Sequence, residues 1–94
     1  MVKALVLYNV GVVVRYKREL RDPESEVIYK DLILRKGYKS VKKLEVGKFF
    51  NMWIEAGSPE EAINTVKHMC KELRLYNPVV QEIEVMLRGE SSSS

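Results

Sequence analysis

Few residues in this chain of 94 have the types and spacing that chemistry needs. Its one cysteine, Cys70, and its one histidine, His68, are two positions apart, which on a helix sends them in different directions and makes them a poor metal pair. Cys70 falls on an apolar helical stripe, which favours inert packing over a reactive thiolate. His68 falls on the opposite, wet side and has no serine and carboxylate to complete a nucleophilic set. Val46-Gly47-Lys48 lacks the glycine spacing and the Lys-Ser/Thr ending of a phosphate loop and reads as a structural turn. The carboxylates are scattered among bases, as on a solvated surface. The conspicuous residues are instead aromatic: Phe49 and Trp53, four apart in an alternating stretch, suit a contact surface rather than a reaction.

That stretch, Val41–Ala56, positions them. Leu44, Val46, Phe50, Met52, Ile54 and Ala56 occupy even positions and can line one buried sheet face. Phe49, Asn51, Trp53 and Glu55 occupy the other. With Gly47 and Lys48 between the apolar runs, the segment reads as a hairpin of two short strands, or as one long kinked strand. Strand one lies within Val2–Lys17, with Val10, Val12, Val14 and Tyr16 on one side and Gly11, Val13, Arg15 and Lys17 on the other. Lys3 and the uncharged run after it resemble the start of a secretory signal. No small-residue cleavage site follows, however, and the run is shorter than the ~20 residues of a membrane span.

Asp22-Pro23 opens helix one, an N-cap followed by proline at the first helical position, and Gly37 is its stop. Val27, Ile28, Leu32 and Leu34 are its expected buried stripe. Helix two opens at Ser58-Pro59, with Ser58 and Glu61 spaced as a capping box, and its stripe is Ala62, Ile63, Val66, Met69, Cys70 and Leu73. Asn77-Pro78 breaks that pattern. Strand four follows over Val79–Arg88, with Ile83, Val85 and Leu87 facing in and Glu82 and Glu84 facing out. The fold class is therefore α+β, a ferredoxin-like β-α-β-β-α-β arrangement: an antiparallel sheet with two helices on one face. It is expected to form one domain over residues 1–88, with 89–94 a disordered tail.

The opposite sheet face has no helix of its own and carries Val13, Phe49, Trp53 and Val80, the mark of a partner surface. Val13, Phe49 and Trp53 are the candidates for self-association. An RNA recognition motif shares this strand order and stacks bases on such a face. Here strand one offers Val13 and Arg15, the strand-three aromatic signature is unmatched, and the net charge is only +3 with interspersed signs. An amino-acid-sensing regulatory domain would need a ligand loop, and none is recognisable. The glycine-rich anion loop of the acylphosphatases is missing.

One ordered set of signals runs from Val12 to Leu87: Asp22-Pro23, Gly37-Tyr38, Val46-Gly47-Lys48, Glu60-Glu61-Ala62, Cys70, and Leu75-Tyr76-Asn77-Pro78-Val79-Val80-Gln81-Glu82. This set resembles the PurS family, the small subunit of phosphoribosylformylglycinamidine synthase, although the family often has glycine where Glu19 and Ser25 stand, and against the family residues 1–10 look like an amino-terminal extension of strand one. The resemblance implies a cytoplasmic complex of purine biosynthesis. That complex turns formylglycinamide ribonucleotide, glutamine and ATP into formylglycinamidine ribonucleotide, glutamate, ADP and phosphate. The small subunit would be a dimer or a dimer of dimers with no catalytic residues. It would join a glutaminase subunit to a large ATP-using synthase subunit and assist ammonia transfer. It would bind no cofactor itself, the complex using ATP and Mg, and neither nucleic acid nor membrane would be a partner. Arg15, Lys48, Asn77 and Pro78 match the family and are the candidates for contacts with the other subunits.

Overall fold

The computed structural model describes residues 5–92. The chain runs β1 (Val6–Tyr16), a first helix α1 (Pro23–Val27, continuing with π geometry over Ile28–Leu34), β2 (Gly47–Ala56), α2 (Pro59–Glu72) and β3 (Gln81–Ser92). The sheet has three strands in the order β2-β1-β3. β1 is central and antiparallel to both neighbours.

The expected hairpin does not form. Residues 41–46 are in no strand, and among the described residues the sheet lacks the fourth strand of the ferredoxin-like pattern. β2 begins opposite Arg15, one residue before β1 ends, so the segment upstream of Gly47 has no strand to pair with. It is held by α1 instead: the Tyr29 hydroxyl donates to the Val41 carbonyl at 2.7 Å, and the Val46 N–H donates to Ser25 Oγ at 2.9 Å. Gly47 is not a turn residue. A Cβ there would sit 2.4 Å from the Val14 carbonyl oxygen, so glycine permits the close approach with which β2 begins.

Alternation in β1 works as expected. Tyr8, Val10, Val12 and Val14 are buried and join Ala56, Ala62, Val66 and Cys70 in the core. Phe50, Met52, Ile54, Leu75, Tyr76, Ile83 and Val85 close around them. α2 starts as expected: Ser58 Oγ accepts from the Glu61 N–H at 3.1 Å and Glu61 Oε2 accepts from the Gly57 N–H at 2.9 Å. It ends in a Schellman motif, with the Leu75 N–H donating to the Cys70 carbonyl at 3.0 Å and the Arg74 N–H to that of Lys71 at 3.3 Å. That geometry turns the chain away at Leu73, which is 61% exposed instead of buried.

β3 starts at Gln81, two residues later than expected, because 78–80 form a turn that also removes Val80 from the sheet face. A bulge opposite Asn9/Val10 admits Arg88 as an extra residue, and pairing resumes through Ser92 opposite Val6, past the point where a tail was expected. Residues 1–4 and 93–94 lie outside the described residues.

α1 departs most from expectation. Its caps are as read: Asp22 Oδ1 accepts from the Glu24 N–H, and Gly37, at φ +92°, closes a Schellman turn in which the Tyr38 N–H donates to the Ile33 carbonyl. Yet none of its Cα atoms comes within 8 Å of a strand's. The helix projects beyond the sheet instead of lying on it, so the expected stripe is covered only in part, with Ile28 and Leu34 half-buried. Val27 and Leu32 are 56% and 59% exposed, and Ser25 is the buried residue. The radius of gyration, 17.6 Å, exceeds the ~12 Å of a compact chain of this length, and the extents are 62 × 28 × 15 Å.

Arg74 takes the left-handed position of its Schellman turn at φ +54°. Arg74→Gly therefore relieves a Cβ clash and should stabilise the chain by about 0.5–1 kcal/mol, raising Tm by roughly 2–6 °C in a thermal melt.

Candidate functional site

β1 and β2 meet in a register that places Val13 opposite Phe49 and Asn9 opposite Trp53. All four side chains point away from α2, because the core is built from the alternate positions. The topology thus brings Val13, Phe49 and Trp53 together on one uncovered face. Val13 is half-buried, while Phe49 and Trp53 are 51% and 62% exposed.

Phe49 lies across the strand over Gly11. A Cβ on Gly11 would stand 2.8 Å from Phe49 Cε1 and 3.0 Å from Arg88 Cδ, so both side chains occupy the space that a larger residue would fill. The Arg88 guanidinium sits 5.2 Å from the Phe49 ring centroid, a cation–π contact that fixes the ring from above. Asn9 Nδ2 donates to Asn51 Oδ1 at 2.6 Å and to the Met52 carbonyl at 3.1 Å, holding the middle of the face in place. Between Trp53, Leu7, Asn9, Gly89 and Glu90 lies a shallow cleft of about 200 Å³. The bulge aims Arg88 onto Phe49, and no local sequence signal announces it. The Gly11–Phe49 pairing was within reach of an alternation argument once the register was known.

The four expected contact residues gather at the other end of the sheet. Arg15 pairs with Gly47, Val14 with Lys48, and Tyr16 with Gln81, beside the turn that holds Asn77 and Pro78. Arg15 is engaged within the sheet: its Nε meets Glu82 at 3.3 Å and its Nη1 meets Glu84 at 3.0 Å, and these hydrogen bonds raise its pKa. Asn77 organises its turn. Its Oδ1 accepts from the Val79 N–H at 3.0 Å, its carbonyl accepts from the Gln81 N–H at 2.7 Å, and its N–H donates to Gln81 Oε1 at 2.8 Å. Lys48 and Pro78 are exposed.

Cys70 is fully buried, and burial pushes its thiol pKa up, away from the thiolate a nucleophile needs. His68 is exposed and pairs with Glu72 at 3.1 Å along the helix surface. Among the described residues, no three His, Cys, Asp or Glu side chains converge as a metal site would require, and no helix is long and apolar enough to cross a membrane. The face offers two rings, a half-buried valine and a hydrogen-bonded asparagine pair, a set suited to binding.

The PurS family model, described as phosphoribosylformylglycinamidine (FGAM) synthase, matches residues 9–89. The chain is 43% identical over 79 residues to phosphoribosylformylglycinamidine synthase subunit PurS of Thermotoga maritima, an alignment that spans 84% of this chain and 94% of that one. The corresponding subunit of Archaeoglobus fulgidus is 42% identical over 77 residues, covering 82% and 94%. The crystal structure of the T. maritima PurS subunit superposes with a TM-score of 0.78 at 42% identity, over 89% of this chain and 94% of that one. A chain in the structure of PurLQS from T. maritima gives 0.77 at 41% identity, over 87% and 98%.

Gly11→Ala should cost about 1–3 kcal/mol in urea unfolding, because the new methyl overlaps the Phe49 ring. In a Phe49→Ala background most of that cost should vanish. Equal costs in both backgrounds would show that the ring does not press on Gly11.

Proposed function

The chain belongs to the PurS family, a subunit of FGAM synthase in purine biosynthesis, and from that premise we propose that it works as a non-catalytic connector. In this reading it associates with itself as a dimer or a dimer of dimers, and bridges the glutaminase subunit and the large ATP-dependent synthase subunit. It helps ammonia pass between them. Shielding has a physical purpose, since ammonia released into bulk water is protonated and stops being a nucleophile. ATP and Mg belong to the large subunit's chemistry, and this chain supplies contact surface. The named structure of PurLQS from T. maritima contains a chain like this one and supports placing it in such an assembly.

The observation that carries the reading is the uncovered sheet face with Phe49 and Trp53 on it. At ~150–250 Å² per ring, covering their exposed 51% and 62% would remove roughly 170–280 Å² from water. At ~25 cal/mol per Å² that amounts to about 4–7 kcal/mol, against an association cost of ~4–15 kcal/mol. The rings can anchor an interface but need company, and Val27 and Leu32 on the projecting helix are exposed apolar surface available to supply it. Glu55, Glu82 and Glu84 share the face with the rings, which favours a protein partner over the phosphate backbone of RNA.

Reconstitution tests the assignment. The chain alone should show no turnover. Glutamine-dependent activity should need all three subunits, whereas ammonia-driven activity of the large subunit should persist without this chain. Glutamine-dependent activity that is unchanged on omitting the chain would overturn the reading. Phe49→Ser should lower the mass measured by light scattering, and an unchanged mass would remove Phe49 from the self-association surface.

A further inference from the structure

A second cleft lies away from the aromatic face. It measures about 350 Å³ and lies at the far end of the sheet, between the β1–α1 connection and residues 42–46. Its two walls are tied together. Ser25 Oγ donates to Asp22 Oδ2 and accepts from the Val46 N–H, and Tyr29 donates to the Val41 carbonyl, so α1 holds the 42–46 segment at a fixed distance. On the connection's side, the Lys17 N–H donates to the Val80 carbonyl at 3.0 Å, which fastens that wall to the start of β3.

The lip of this cleft is cationic. Arg15, Lys17, Arg18, Arg21, Lys42 and Lys43 line it, against the acids Asp22, Glu26 and Glu45. Several of these charges are already matched: Arg15 with Glu82 and Glu84, Arg21 with Glu26 at 2.7 Å, and Lys43 with Glu45 at 3.0 Å. Among the described residues, Lys17, Arg18 and Lys42 form no ion pair. The Glu45 carboxyl is held below its usual range, first by its bond to Lys43 and, to a lesser degree, by Arg15 and Arg18. Leu44, Val46 and the rings of Tyr16 and Tyr29 supply the non-polar part of the lining. The volume falls at the small end of ligand sites, ~300–1,000 Å³.

We propose that this cleft binds a phosphate group, carried by a small phosphate ester or as free inorganic phosphate, with Arg18 and Lys42 gripping it from opposite walls and Lys17 adding charge. The planar guanidinium of arginine can donate two parallel hydrogen bonds to two phosphate oxygens, and lysine serves as a point charge beside it. The proposal rests on the cleft alone, and the chain without partners is the sample, so its outcome is independent of the assembly reading.

The test is titration of the full chain with inorganic phosphate, with AMP and with adenosine, followed by amide chemical shifts in NMR. Phosphate or AMP should saturate, with shifts centred on Ser25, Val46 and residues 17–18, and adenosine should not. AMP binding more tightly than phosphate identifies an ester, and the reverse identifies free phosphate. Arg18→Gln with Lys42→Gln, both on exposed positions, should weaken binding about tenfold or more. Lys67→Gln on α2 should leave it unchanged. No saturation by roughly 10 mM overturns the proposal. So does equal binding of adenosine, wild-type affinity in the double variant, or a loss in Lys67→Gln as large as in the double variant, which would mean diffuse charge and no site.

Discussion

β1 hydrogen-bonds on both edges, and that pairing limits everything else the chain can do. With the central strand fully occupied, further contacts must use a sheet face or the outer edges of β2 and β3. One fourteen-residue helix then covers one face. Among the described residues no element covers the opposite face, because the other helix projects past the end of the sheet. Tyr8, Val10, Val12, Val14, Ala56, Ala62, Val66 and Cys70 form a small closed core, and many large apolar side chains, Phe49 and Trp53 among them, stay exposed outside it. The open aromatic face and the bare side of α1 both follow from that arithmetic of layers.

Local signals were legible from sequence because local chemistry determines them. Asp22, Ser58 and Glu61 cap their helices through bonds spanning two to four residues, and Gly37 adopts the left-handed turn that its position demands. Alternation located the core of β1 and placed Phe49 and Trp53 on the outer face for the same reason. The misreadings arose where one pattern serves two structures. Leu44 and Val46 continue the alternation of β2, but alternation cannot reveal that β1 has already ended. Gly47 answers equally to a tight turn and to a close backbone approach, and only the register shows the second. The stripe on α1 is genuine amphipathicity, but periodicity states that a helix has a side to bury and not what buries it.

The two ends of the sheet differ in character. Toward Trp53 the face is apolar and hydrogen-bonded through Asn9 and Asn51. Toward Arg15 it becomes a lattice of charges shared with β3, adjoining the cationic cleft and the Asn77 turn. Antiparallel pairing brings Arg15 opposite Gly47 and Lys48 opposite Val14, and it starts β3 opposite Tyr16, so the turn holding Asn77 and Pro78 comes to the same end of the sheet. That grouping is a tertiary fact and was unavailable to any reading of spacing.

A profile only 15 Å thick leaves very little interior for a chain of this length. Much of what would ordinarily be stored inside such a protein is left at its boundary, so anything that binds the folded form and not the unfolded one adds directly to its lifetime. Surplus copies, made beyond the stoichiometry of whatever occupies those surfaces, would be the first to open and the first that cellular proteases remove.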